Sequence, residues 1–222
     1  MLQHVFERAS QARYLTSTMI ATDDERVYEV AKSFGARVKM TRRDHFSGTD
    51  RVAEAASGEN AEIIVNIQGD EPLIDPAAID DAVLPMVHDS GLVMGTLKKR
   101  IEDPDEIGNP NVVKVVTDLA GDAIYFSRCP IPYVRETQAG MPVLQHFKHV
   151  GLYVYRRDFL LGYSSLRVGP LEESERLEQL RALENGYHIR VVETEYESLG
   201  VDTPADLEKV SRLFEASMAG GC

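Results

Sequence analysis

An α/β protein with one main domain and an inserted lobe is what this sequence predicts, and three observations carry it. Short β-branched runs alternate with stretches of helical period, Gly and Pro punctuate the junctions, and one strand leads straight into an acidic turn, Asn66-Ile67-Gln68-Gly69-Asp70-Glu71-Pro72. Before that turn, Ile63, Ile64, Val65 and Ile67 form a run of the kind covered on both faces in an α/β protein. After it, Pro72 and Pro76 break the chain, and apolar positions from Ala77 to Val87 recur at helical spacing. Ligands of open α/β sheets bind beyond the carboxyl ends of the strands, so Gln68, Gly69, Asp70 and Glu71 stand where a ligand would lie. Gly69 lets a ligand approach the backbone, and Asp70 offers the hard oxygens that suit magnesium shared with substrate phosphates. The competing reading is that Asp70 or Glu71 merely caps the helix that follows.

Composition narrows the class. At 222 residues the chain can bury a sizeable core in one domain. Its 36 acidic and 24 basic residues give a net charge of -12, which argues against a general nucleic-acid surface and for a small ligand. No apolar run approaches the ~20 residues that cross a bilayer, and no signal-like start is present, so no membrane insertion and a cytoplasmic location are expected. Cys129 and Cys222 make neither a disulfide framework nor a metal spacing.

Taken in order, Leu2, Val5, Phe6 and Ala9 open a helix, Thr18 to Ala21 reads as a strand, and Asp23 or Asp24 caps a helix from Val27 to Phe34 that Gly35 stops. A strand around Val38 precedes a dense polar loop, Arg42 to Arg51, which enters a helix at about Thr49 and has the length and charge of a binding loop. Beyond the acidic turn and its helix come an apolar segment, Leu92 to Leu97, and a strand, Val112 to Val116. Asp118 to Gly121 turns that strand back into Ala123 to Phe126, where the sheet becomes antiparallel. Pro130, Pro132 and Pro142 predict a loop excursion; with its neighbours it forms the inserted lobe, about residues 118–165. Strand alternation from Phe147 to Tyr155 puts His149, Gly151, Tyr153 and Tyr155 on one face, where a lone histidine is usually structural. Leu171 to Leu183 has a strong helical period, with Glu172, Glu173, Glu175, Glu178 and Glu184 predicted as a solvated face. Ile189 to Val192 is a late strand, Gly200 to Pro204 a tight turn, and Asp206 to Met218 a closing helix.

The acidic turn occurs together with Ser47-Gly48-Thr49-Asp50-Arg51, Asn111-Val112-Val113-Lys114-Val115-Val116, Phe126-Ser127-Arg128, His149-Val150-Gly151-Leu152-Tyr153, Leu177-Glu178-Gln179-Leu180-Arg181 and Gly200-Val201-Asp202-Thr203-Pro204. In that order and spacing, across nearly the whole chain, the sequence closely resembles the 3-deoxy-manno-octulosonate (KDO) cytidylyltransferase family. The resemblance implies a Rossmann-like mixed sheet with helices on both faces, a smaller sugar-facing lobe, a homodimer, and magnesium as cofactor. CTP and KDO would give CMP-KDO and pyrophosphate for lipopolysaccharide assembly in the cytoplasm of a Gram-negative-type bacterium.

By the same matching, Asp70 and Asp202 would hold magnesium from two separate strand ends, and Ser47, Gly48, Arg51 and Gln68 would line the cytidine side. Arg128 would face the sugar carboxylate, and His149, Tyr153, Glu178 and Gln179 would contact the sugar hydroxyls. The rivals are a cytidylyltransferase for an amino-KDO or a sialic acid, and a non-catalytic nucleotide-sugar binding protein. One departure stands out, since relatives begin with a strand and a loop rich in Arg, Gly and Lys that receives the triphosphate, and neither precedes Met1. The expectation is that residues 1–222 alone bind CTP poorly and do not turn over, and that two strands lose a neighbour.

Overall fold

The computed structural model describes residues 1–45, 47–135, 145–201 and 203–219, the last five without their side chains. Asp202, Cys222, Pro142 and most of the excursion after Arg135 therefore lie outside the described residues. The chain begins in α1 (Leu2–Ala9) and runs through β1 (Met19–Thr22), α2 (Glu25–Ser33), β2 (Arg37–Met40), α3 (Gly48–Ala56), β3 (Ile63–Asn66) and α4 (Pro76–His88). Next come β4 (Met94–Arg100), α5 (Pro104–Gly108), β5 (Lys114–Thr117), β6 (Ala123–Ser127) and β7 (Phe147–Arg156). The last elements are α6 (Arg157–Gly162), α7 (Pro170–Glu175), α8 (Leu180–Glu184), β8 (Ile189–Glu193) and α9 (Pro204–Ala219).

Local chemistry sets the boundaries. Asp24, not Asp23, caps α2, its carboxylate accepting from the Arg26 N–H at 2.8 Å, and Gly35 at φ +80° takes the left-handed turn after the helix. Ser47 caps α3 by accepting from the Asp50 N–H. Asp75 caps α4 through the Ala77 N–H, with Pro76 in the first turn. That cap removes the competing reading of the acidic turn, because neither Asp70 nor Glu71 is the capping residue.

β4 and β8 are parallel, while β7 is antiparallel to β4, to β3 and to β5, and β5 and β6 form the expected hairpin. β7 is the hub: β4 pairs along one side of it, and on the other its carboxyl half takes β3 and its amino end takes β5. β1 and β2 form a separate parallel pair. This corrects one expectation. β3 is not a strand buried on both faces, for only Asn66 of its four residues is buried; its partner among the described residues is the antiparallel β7. The free edges of β1 and β3 line the same cleft, of about 440 Å³.

Two apolar clusters hold the large sheet between helices. Val150, Leu152 and Val154 of β7 point to one side, where they meet Val5 of α1 and Ile79 and Met86 of α4. Tyr155 and its same-face neighbour Tyr153 point to the other, with Phe126, Leu160, Tyr163 and Leu180. The alternation read from residues 147–155 is thus the alternation of the sheet. A smaller cluster of Ile20, Ala31 and Ala36 joins α2 to the β1–β2 pair.

The acidic stretch 171–184 departs from its reading in two ways. It is broken into α7 and α8 at Arg176, which takes a left-handed φ of 54°. Several of its acids are also engaged instead of solvated: Glu172 pairs with Arg181 at 2.6 Å, Glu175 accepts from the Ser127 hydroxyl at 2.6 Å, and Glu184 accepts from the Leu171 and Glu172 N–H groups. Close by, Lys114 is fully buried, and its ammonium donates to the carbonyls of Asn109, Val112 and Arg128 at 2.9, 2.7 and 2.6 Å.

Candidate active site

Gly48, Arg51, Gln68 and Gly69 all border the cleft between β1 and β3. α3 presents Gly48 and Arg51 from its first turn, and the end of β3 presents Gln68 and Gly69. Arg51 is held by donating to Thr41 Oγ1 at 2.7 Å and to the Asp23 carboxylate at 3.1 Å. Ser47 turns elsewhere: its hydroxyl donates to Glu178 Oε1 at 2.9 Å, and Thr49 donates to Glu178 Oε2 at 3.1 Å. Two residues 131 positions apart thereby tie the loop before α3 to the segment before α8. Burial raises the Glu178 carboxyl above the usual range, against the pull of the two hydroxyls.

On the face of β7 opposite Val150 and Leu152, His149 and Tyr153 stand with ring centroids 5.3 Å apart, and Phe126 meets His149 edge-on at 5.1 Å. Thr96 fixes the imidazole. Its hydroxyl proton goes to the Leu152 carbonyl at 2.7 Å, so its oxygen accepts from His149 Nε2–H at 2.9 Å. Nδ1 is then left as an acceptor, which suits a hydroxyl ligand. Gln179 is buried at the start of α8, and Tyr163 donates its hydroxyl to the Glu178 carbonyl at 2.7 Å. Arg128 is anchored at the end of β6, its guanidinium donating to the carbonyls of Glu175, Pro110 and Arg176 at 2.7, 3.0 and 3.4 Å. The structure therefore gathers His149, Tyr153 and Glu178 around one aromatic face, while much of Arg128's donor set is spent on the main chain.

Burial pushes the His149 pKa down to about 3. The unfolded chain binds this proton near pH 6.5 and the folded chain does not, so the stabilisation is complete above about 6.5 and declines by about 1.4 kcal/mol per pH unit towards 3. His149→Gln should flatten that acid limb of urea stability. Identical slopes for variant and parent between pH 6.5 and 4 would refute the buried neutral imidazole.

Asp70 is half-buried at the mouth of the sheet, and its carbonyl accepts from the Val201 N–H at 3.0 Å, which brings the chain just before Asp202 to it. Among the described residues no three His, Cys, Asp or Glu side chains group as a cation site. One carboxylate still fits magnesium, an ion that keeps waters and substrate phosphates among its six oxygens. Thr49, Thr96, Glu71 and Glu175 escaped the sequence reading. Thr49 stands where the polar loop was read to enter a helix and Thr96 in a stretch read as an apolar segment, Glu71 was read only with the turn or as a cap, and Glu175 is one of many acids; nothing local separates them.

A cytidylyltransferase family model matches residues 1–193. A 3-deoxy-manno-octulosonate cytidylyltransferase of Solibacter usitatus is 79% identical over 221 residues, covering 100% of this chain and 86% of that protein. One from Geobacter metallireducens is 55% identical over 217 residues, covering 95% and 85%. The solved structure of a CMP:2-keto-3-deoxy-manno-octonic acid synthetase complexed with CTP superposes with a TM-score of 0.91 at 43% identity, covering 97% of this chain and 88% of that one. On that breadth of match, the chain belongs to the 3-deoxy-manno-octulosonate cytidylyltransferase family.

Proposed function

We propose that this protein transfers the cytidylyl group of CTP to KDO, releasing pyrophosphate and forming CMP-KDO for lipopolysaccharide assembly in the cytoplasm. The observation that carries the reading is the junction made by Glu178, which ties Ser47 and Thr49, the residues on either side of the cleft-lining Gly48, to the face bearing His149 and Tyr153. An attack by a sugar hydroxyl on the α-phosphorus needs the two substrates side by side, and such a junction sets their spacing. Gly48, Arg51 and Gln68 take the nucleotide side, His149, Tyr153 and Gln179 the sugar hydroxyls, and Arg128 the sugar carboxylate.

Asp70 and Asp202 would hold magnesium, which lowers the charge on the α-phosphate when bound. Among the described residues β1 pairs only with β2 and β3 only with β7, so the cleft between them has room for a further partner. The exposed Ile124 and Tyr133 of the β6 region support a homodimer surface, and a monomer in sedimentation would remove that assignment. No helix among the described residues is long and apolar enough to cross a membrane.

The test is pyrophosphate release from CTP that requires KDO, measured on the chain extended at its N-terminus by a strand and basic loop. Release without KDO, or none at all, would overturn the reading. Gln179→Ala in that protein should raise KM for KDO about tenfold or more, the cost of one unmatched buried polar contact, and leave CTP binding nearly unchanged by calorimetry. An equal loss of CTP affinity would take Gln179 out of the sugar pocket.

A further inference from the structure

Glu71 follows Asp70 directly, yet the two carboxylates do different things. Asp70 is half-open at the sheet mouth, whereas Glu71 is 7% exposed and turned inward. Both of its oxygens are occupied: Oε1 accepts from the Ser198 hydroxyl at 2.9 Å and Oε2 from the Tyr196 hydroxyl at 3.0 Å. Tyr196 and Ser198 belong to the strap that leaves β8 and ends at Val201, whose N–H donates to the Asp70 carbonyl at 3.0 Å.

The strap has two sets of fastenings. On the sheet side the Thr194 N–H continues the ladder to the Lys98 carbonyl, Lys99 donates to the Glu195 carbonyl at 3.1 Å, and Glu197 pairs with Lys99 and Lys148 at 2.7 and 2.6 Å. Glu197 is 44% exposed, so water and salt screen those ion pairs. On the turn side the fastening is the Glu71 carboxylate, whose bonds run to hydroxyls in a buried setting and escape that screening. Tyr196 is itself part of the apolar cluster under α4, which leaves its hydroxyl little freedom to wander.

We infer that Glu71 is a positioning residue: through Tyr196 and Ser198 it sets how closely the strap, up to Val201, approaches Asp70. The inference rests on the proposed role of Asp70 toward the cation. Glu71 is not itself offered as a ligand, since both of its oxygens are already taken. Its effect on the ion is to hold two chain segments at one spacing before the ion arrives, which removes a reorganisation that binding would otherwise have to drive.

The test pairs amide hydrogen exchange at Val201, which needs no metal, with Mn2+ binding followed by electron paramagnetic resonance in the presence and absence of CTP. In the Tyr196→Phe/Ser198→Ala double variant, Val201 exchange should accelerate and Mn2+ affinity should fall, each by about tenfold or more, as expected when charge-assisted hydrogen bonds are lost. Exchange in β4 and β7 should stay as in the parent. Ser198→Thr, which keeps the hydroxyl, should restore both readouts when it replaces Ser198→Ala, and the Tyr196→Phe and Ser198→Ala single variants guard against a fold lost in the double.

Asp70→Asn should abolish Mn2+ binding and leave Val201 protected. Unchanged Val201 exchange in the double variant, with Mn2+ binding intact in the parent, would overturn the latch alone. Faster exchange with undiminished Mn2+ affinity would overturn its positioning role. A parent that binds no Mn2+ would overturn the metal reading of Asp70, and the role of Glu71 toward the ion with it.

Discussion

Pyrophosphate release by the Asp70→Asn variant of the N-terminally extended chain is expected to fall by about a hundredfold or more, with the melting temperature almost unchanged. The two halves of this expectation come from the same place in the fold. Asp70 is not the cap of α4, a duty Asp75 performs, and it belongs to none of the apolar clusters, so an isosteric amide disturbs little that holds the protein together. What it removes is a formal charge at the point where a cation and a triphosphate would meet, in a chain whose net charge of -12 already repels the substrate. Asp202→Asn should behave alike. Near-normal magnesium-dependent turnover in either variant would end the two-aspartate assignment.

The other large effect concerns the open edges. The chain of residues 1–222 by itself should bind CTP weakly and show no turnover, whereas the same chain carrying one added strand of about 5–6 residues and a loop with Arg and Lys should do both. Two physical deficits argue for this. Among the described residues β1 and β3 each present an edge without a strand partner to the cleft they share, and one strand inserted there would satisfy both. The arginines that line the cleft, Arg37 and Arg51, are already paired with Glu59 and Asp23, so the described lining offers a triphosphate little uncommitted positive charge. Side-by-side pyrophosphate assays decide it: full activity from the 222-residue chain would show that the cleft serves without the added strand.

Elements set by local rules were legible. α2 with its cap and Gly35, the β5–β6 hairpin, and the two-faced alternation of β7 all depend on residues within a turn of one another, and each lies where the sequence places it. The burial of β3 was misjudged because an apolar run reports a preference for desolvation and not which elements come to cover it. β7, some ninety residues later, supplies the antiparallel pairing. The acids of 171–184 were misjudged for a related reason, since spacing on a helix cannot reveal Arg181 pairing with Glu172 or the hydroxyls that reach Glu178. Asp70 is singled out in the sequence because a strand end marks where ligands bind in such sheets. Glu71, one residue on, gives no sign in sequence that it turns inward to Tyr196 and Ser198.

Lys114 has a meaning beyond its packing. An ammonium ringed by three carbonyl oxygens is, in coordination terms, a potassium site whose ion has been grafted to the chain. A free ion in such a ring would come and go with ionic composition, and the junction of residues 109, 112 and 128 would tighten or slacken with the medium. The grafted one cannot be dialysed away or exchanged for sodium. The loop around Pro110 and the strand end bearing Arg128 are thus joined by a cation present at fixed stoichiometry from the moment the chain is made.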